Sequence, residues 1–203
     1  MKEIKLVITE PFINGPSWLT NNPGLEIIII SGASSQAEVD GALYKTLFYN
    51  DIPITDNPSE CLELLMKEMD AQESIVTGGL LFRVDDKIIM PGCCCGLEQW
   101  REAVNHLRQG RRPWLGHDPI RGCEFFEDSI FIISDNLEEY PEEREYRQKE
   151  QYKLEYSKDE MEALLIQLEK DSDDFINGPL KKRLGELAPE IADKFCEAWH
   201  KNF

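Results

Sequence analysis

No apolar run in this chain exceeds four residues, as at Ile27–Ile30, against the roughly 18 that a membrane span needs. Glycine-rich phosphate cradles are missing too. Gly32-Ala33-Ser34-Ser35 is a turn without GxGxxG or GxxxxGKS/T spacing, so no nucleotide site is expected there. No CxxC pair occurs, and only three histidines are present. Positive charge is scarce: 22 Lys and Arg stand against 39 Asp and Glu, for a net charge of −17. Such a surface repels a phosphate backbone, which argues against nucleic acid and makes basic proteins the natural charged partners. Met1-Lys2-Glu3-Ile4 opens a strand-like segment and not an apolar signal region, so the expected location is cytoplasmic.

What is present suits one large domain, or a domain with an appendage, across 203 residues. The apolar share of 41% can supply a core. Ile4, Leu6 and Ile8 alternate with Lys5, Val7 and Thr9, predicting a half-buried strand that ends in a break at residues 11–16. Residues 26–30 are β-branched and continuous, predicting a strand buried on both faces. Val39, Leu43 and Leu47 predict a helix over 36–49. Asn57-Pro58 opens another, with Cys61, Leu62, Leu65, Met66 and Met69 on its apolar face.

Two hairpins follow, one turning at Asp85-Asp86 and one at Glu127-Asp128, and a helix bearing Leu97, Trp100, Val104 and Leu107 lies between them. Leu80, Phe82, Ile89, Leu97, Trp100, Val104, Ile130 and Ile132 are the expected core. Residues 135–150 read as a charged connector or solvated helix broken at Tyr140-Pro141. Tyr152, Leu154 and Tyr156 suggest a short strand. Ser157-Lys158-Asp159-Glu160 is a capping box for a helix that Asn177-Gly178-Pro179 should end. Pro189 starts the last helix, with Ile191, Phe195 and Trp199 on one face. The expected fold is α+β: a mainly antiparallel sheet of hairpins, helices on one side and a C-terminal helical segment. The expected division is a body over 1–134 and an acidic connector with docked helices over 135–203.

One stretch concentrates chemistry. Cys93-Cys94-Cys95, Trp100, His106, Arg111-Arg112-Pro113-Trp114 and His117-Asp118 all fall within residues 90–119. The six cysteines suit reduced thiols better than a secreted disulfide framework, since three are adjacent. Neighbouring side chains point apart in extended backbone, so no metal is expected. The best chelating set would be Cys93 with Cys95, completed by His106, His117 or Cys123. Cys93 or Cys95 with His117 and Asp118 is the catalytic candidate, because a thiol just before a helix can be acidified and His/Asp pairs move protons.

Arg101, Arg108, Arg111, Arg112 and Arg121 against Glu102 and Asp118 give a local +3. Arg108, Arg111, Arg112, Trp114 and Arg121 are the binding candidates, suited to carboxylates or to anchoring an interface, unless the arginines pair internally.

In general build the chain resembles small bacterial immunity or adaptor proteins, a likeness of type that rests on no motif and assigns no residues. The expected function is non-enzymatic: an acidic module of immunity or adaptor type that binds and neutralises a basic protein, without a cofactor. A small enzyme in an arginine-lined cleft and a zinc-bearing structural module are the alternatives. The enzyme requires His117, Asp118 and Cys93 or Cys95 to converge on an open, arginine-lined cavity. The binder requires the arginines to be internally paired.

Overall fold

A computed structural model describes residues 1–9, 15–20, 26–139, 142 and 144–203. The breaks expected at residues 11–14 and 140–141 lie outside the described residues. Strand β1 (Lys2–Ile8) pairs antiparallel with β2 (Ile28–Ile29) and with β3 (Gly78–Val84), which returns as β4 (Lys87–Ile89). The first hairpin closes Val84 onto Lys87, with Asp85 in the left-handed region at φ 54° to make the two-residue turn. The sheet order is β2-β1-β3-β4.

Edge position explains one departure from expectation. β2 has only β1 beside it, so Ile28 and Ile30 are buried while Ile27 and Ile29 face solvent. It is an alternating edge strand and not one covered on both faces.

Helix α1 (Gln36–Tyr49) starts in a capping box: Ser35 accepts from the Glu38 N–H, and the Glu38 side chain accepts from the Ser35 N–H. Helix α2 (Pro58–Asp70) has Pro58 in its first turn and buries Cys61, Leu62, Leu65 and Met69. After β4, a 3-10 turn (Leu97–Gln99) leads into α3 (Trp100–Arg108). The second hairpin is β5 (Gly122–Phe125) and β6 (Ser129–Ile133). A 3-10 turn at Leu137–Glu139 and the short α4 (Arg144–Arg147) follow.

Strand β7 (Lys153–Ser157) then pairs antiparallel with β6 to complete a second sheet, β5-β6-β7. The division expected at residue 134 therefore falls between two strands of one sheet. Tyr156 O–H donates to the Arg83 carbonyl at 2.9 Å, tying this sheet to the first.

Helix α5 (Lys158–Phe175) begins in the predicted box between Ser157 and Glu160 and lies against β1. It does not stop at Asn177-Gly178-Pro179. A π-helical turn, Ile176–Leu180, carries the chain directly into α6 (Lys181–Leu187). The wider turn accommodates a proline that lacks an N–H and crowds a regular helix. Helix α7 (Ala192–Asn202) packs its Phe195 and Trp199 face inward and lies along α2.

All eight expected core residues, Trp100 included, are buried in one cluster shared with Leu154, Tyr156, Leu165, Phe175 and Trp199. Among the described residues no helix is long and apolar enough to cross a membrane.

Candidate functional site

The site is built where the chain leaving β4 meets the chain entering β5. Gly92 N–H donates to the Leu115 carbonyl at 2.7 Å, and Cys93 and His117 exchange N–H···O bonds of 2.8 and 3.0 Å. Two glycines permit that approach. A Cβ on Gly92 would sit 2.6 Å from the His117 oxygen. One on Gly116, whose φ is +87°, would sit 2.6 Å from the Cys93 oxygen.

We therefore expect Gly116→Ala to destabilise the protein by more than about 1 kcal/mol. The thermal midpoint should fall by at least roughly 2–4 °C. An unchanged midpoint would mean that this close approach is not part of the folded structure.

The bridge sets Cys93 beside His117, with Sγ 3.5 Å from Nδ1. Asp118 is also near, its Oδ2 3.9 Å from the same sulfur. Cys94 has φ +58°, and this left-handed step turns its side chain toward that of Cys93. The result is that Cys93 Sγ, Cys94 Sγ and a His117 ring nitrogen all lie within 4.8 Å of one another. The Trp114 ring stands edge-on to the imidazole at 5.1 Å. Cys93 and Cys94 are exposed and His117 is half-buried.

This corrects the expected geometry. Adjacent thiols do converge, because the backbone between them is not extended. Cys95 turns inward instead, packing where a Cβ on Gly79 would touch its sulfur. Cys123 is buried too, and burial above all pushes the thiols of Cys95 and Cys123 up to about 12. His106 is elsewhere, its Nε2 3.8 Å from Glu102 on the same helix. All six cysteines are free. Cys94 was missed as a site residue. The signal for it was the glycine spacing: Gly92, Gly96 and Gly116 mark a tight passage where extended-chain rules fail.

The electrostatics are unlike those of an activated nucleophile. Desolvation first, then Cys94 and the Asp118 carboxylate, hold the Cys93 thiol above its ordinary range. A catalytic cysteine needs the opposite, a cationic neighbour or helix end that favours thiolate.

The arginines separate into two groups. Arg108 is forked between Glu162 and Glu169, with contacts of 2.6 to 3.1 Å, and these carboxylates raise its pKa further. Arg121 donates to the carbonyls of Met90, at 3.0 Å, and Ser134, bracing β4 against β6. Arg111 donates to the Gln109 side chain, and Arg112 approaches Glu138 at 3.7 Å. These two are exposed on the same loop as the exposed Trp114. Arg101 lies over the Trp100 ring at 4.5 Å.

An open cavity of about 490 Å³ has Asp118, Arg121, Asp135, Tyr146, Arg147 and Tyr152 in its wall. Arg147 pairs with Asp135 at 3.1 Å. The sulfur of Cys93 and the imidazole of His117 are not part of that wall. Comparison with protein-family models, curated proteins and solved structures finds no match to this chain.

Proposed function

We propose that this protein is a non-enzymatic binding module that offers a carboxylate-rich surface to a basic protein, as immunity and adaptor proteins do. One observation carries the reading. Between residues 56 and 73 six carboxylates stand against Lys67 alone. Asp56, Glu60, Glu63, Asp70 and Glu73 are exposed along and around α2, and none forms an ion pair among the described residues. Ile54 and Ile75, which flank this segment in the chain, are also exposed and offer apolar contact.

Several basic side chains elsewhere, Arg108 and Arg183 among them, are paired with carboxylates of their own, and the net charge of −17 remains. A surface of one sign accelerates encounter with an oppositely charged partner by about 10- to 1000-fold.

The enzyme alternative gains one expected feature, since Cys93, His117 and Asp118 do converge. It lacks two others. The Cys93 sulfur and the His117 imidazole stand outside the cavity wall, to which Asp118 alone of the three contributes. Asp118 contacts the thiol, which disfavours thiolate, where a Cys–His pair needs its orienting carboxylate on the imidazole.

Immobilised protein should retain a basic partner from its native host at low salt, and His117→Ala should retain the same partner with affinity changed less than about twofold (roughly 0.4 kcal/mol). Loss of the partner in His117→Ala would move the binding function to the cysteine loop and end this reading.

A further inference from the structure

We infer that Cys93 Sγ, Cys94 Sγ and His117 Nδ1 form a binding site for a thiophilic divalent transition-metal ion of the zinc class, with its fourth position facing solvent. Distance is the first ground. Zinc bonds sulfur at about 2.3 Å and imidazole nitrogen at about 2.0–2.1 Å, so a tetrahedral ion holds S and N roughly 3.6 Å apart and two sulfurs roughly 3.8 Å apart. Cys93 Sγ and His117 Nδ1 are already 3.5 Å apart. The two sulfurs and a ring nitrogen of His117 lie within 4.8 Å of one another, so closing the set takes a side-chain movement of about an ångström.

Preorganisation is the second ground. The two segments are locked by the Cys93–His117 backbone bridge, and the absence of a Cβ at Gly92 and Gly116 allows it. Cys94 holds a left-handed conformation that a non-glycine residue rarely adopts, a kind of outlier that gathers at ligand sites. The Trp114 ring against His117 limits the orientation of the imidazole.

Donor chemistry sets the class of ion. Two thiolates and an imidazole suit zinc, cobalt(II) and similar borderline or soft ions, whereas magnesium and calcium require oxygen. Both sulfurs are exposed, so an ion can enter without unfolding. Binding converts two thiols to thiolates: two S–H bonds break, two metal–sulfur bonds form and two protons go to solvent. Asp118 adds a negative charge 3.9 Å from Cys93 Sγ, which favours a cation. Closure of the loop by an ion would fix Trp114, Arg111 and Arg112 relative to β4. The site is independent of the acidic face on α2.

Reduced, full-length protein titrated with cobalt(II) as a zinc surrogate tests the assignment. The expected result is one equivalent bound, with sulfur-to-cobalt charge-transfer absorption, intense tetrahedral d–d bands and displacement by zinc. Cys93→Ser, Cys94→Ser and His117→Ala should each weaken binding by more than the 10- to 100-fold typical of losing an outer partner. A variant with Glu60, Glu63 and Asp70 changed to lysine should bind as the wild type does. Absence of the sulfur band, or equal binding by all three ligand variants, overturns the site and reduces any uptake to surface carboxylates. A second readout needs no variant: zinc should protect Cys93 and Cys94 of the wild-type protein from alkylation, and unprotected thiols at saturating zinc contradict the proposal.

Discussion

Replacing Arg183 with methionine is expected to cost about 3–5 kcal/mol, the penalty for leaving a buried charge without its partner. Asp40 on α1 is fully buried, and Arg183 on α6 grips both its oxygens at 2.7 and 3.2 Å. The same guanidinium donates to the Trp18 carbonyl at 2.9 Å, and the Thr20 N–H donates to Asp40 Oδ2 at 2.8 Å. One pair thus joins α1, α6 and the loop near Trp18. Loss of the arginine strands the carboxylate, and the thermal midpoint should drop by roughly 6–20 °C. The double change Asp40→Leu with Arg183→Met should recover most of that loss, because two matched apolar groups need no solvation. A single variant within 1 kcal/mol of wild type would show that Asp40 reaches water in solution.

Trp100→Ala is the second large effect, again about 3–5 kcal/mol. Trp100 is 3% exposed, sits at the start of α3, and its Nε1–H donates to the Phe203 carbonyl at the end of the described chain. Phe203 in turn packs on Trp199 at 4.8 Å. Truncation leaves a cavity between the first sheet, α3 and the C-terminal helix. Trp100→Phe keeps most of the packing and removes the hydrogen bond, so it should cost less, nearer the 1–3 kcal/mol of an unpaired buried acceptor. Equal losses for the two variants would place the whole effect in the hydrogen bond and contradict the packing account.

Both hairpins and the helices at 36–49 and 58–70 were legible because period and punctuation agree there: Asp85-Asp86, Glu127-Asp128 and Asn57-Pro58 sit where the apolar pattern stops. The box at Ser157 and Glu160 was legible for the same reason. Four isoleucines in a row carry no such information, since only the count of neighbouring strands says whether one face or two is covered. Gly178-Pro179 misled because a π-helical turn satisfies the backbone around a proline that would end a regular helix.

The site was half legible. The sequence grouping of Cys93 with His117 and Asp118 rests on their chemistry, and the structure sets these three side chains side by side, while Cys94 falls outside that grouping through a rule that holds only for extended backbone. Arg108 and Arg121 are binding candidates in the sequence unless they pair internally, and the structure engages both internally. Their partners, Glu162, Glu169 and the Ser134 carbonyl, are not identified by any local pattern.

The most direct test of the binding account is the association rate of the captured partner measured from 0.01 M to 0.15 M salt, with wild type and with the Glu60→Lys, Glu63→Lys, Asp70→Lys variant. Over that range the screening length shrinks from about 30 Å to about 8 Å. The account predicts a wild-type rate that falls at least tenfold, and a variant rate that is slow at low salt and nearly independent of it. A rate that ignores salt, or a lysine variant that associates as fast as wild type, would contradict it.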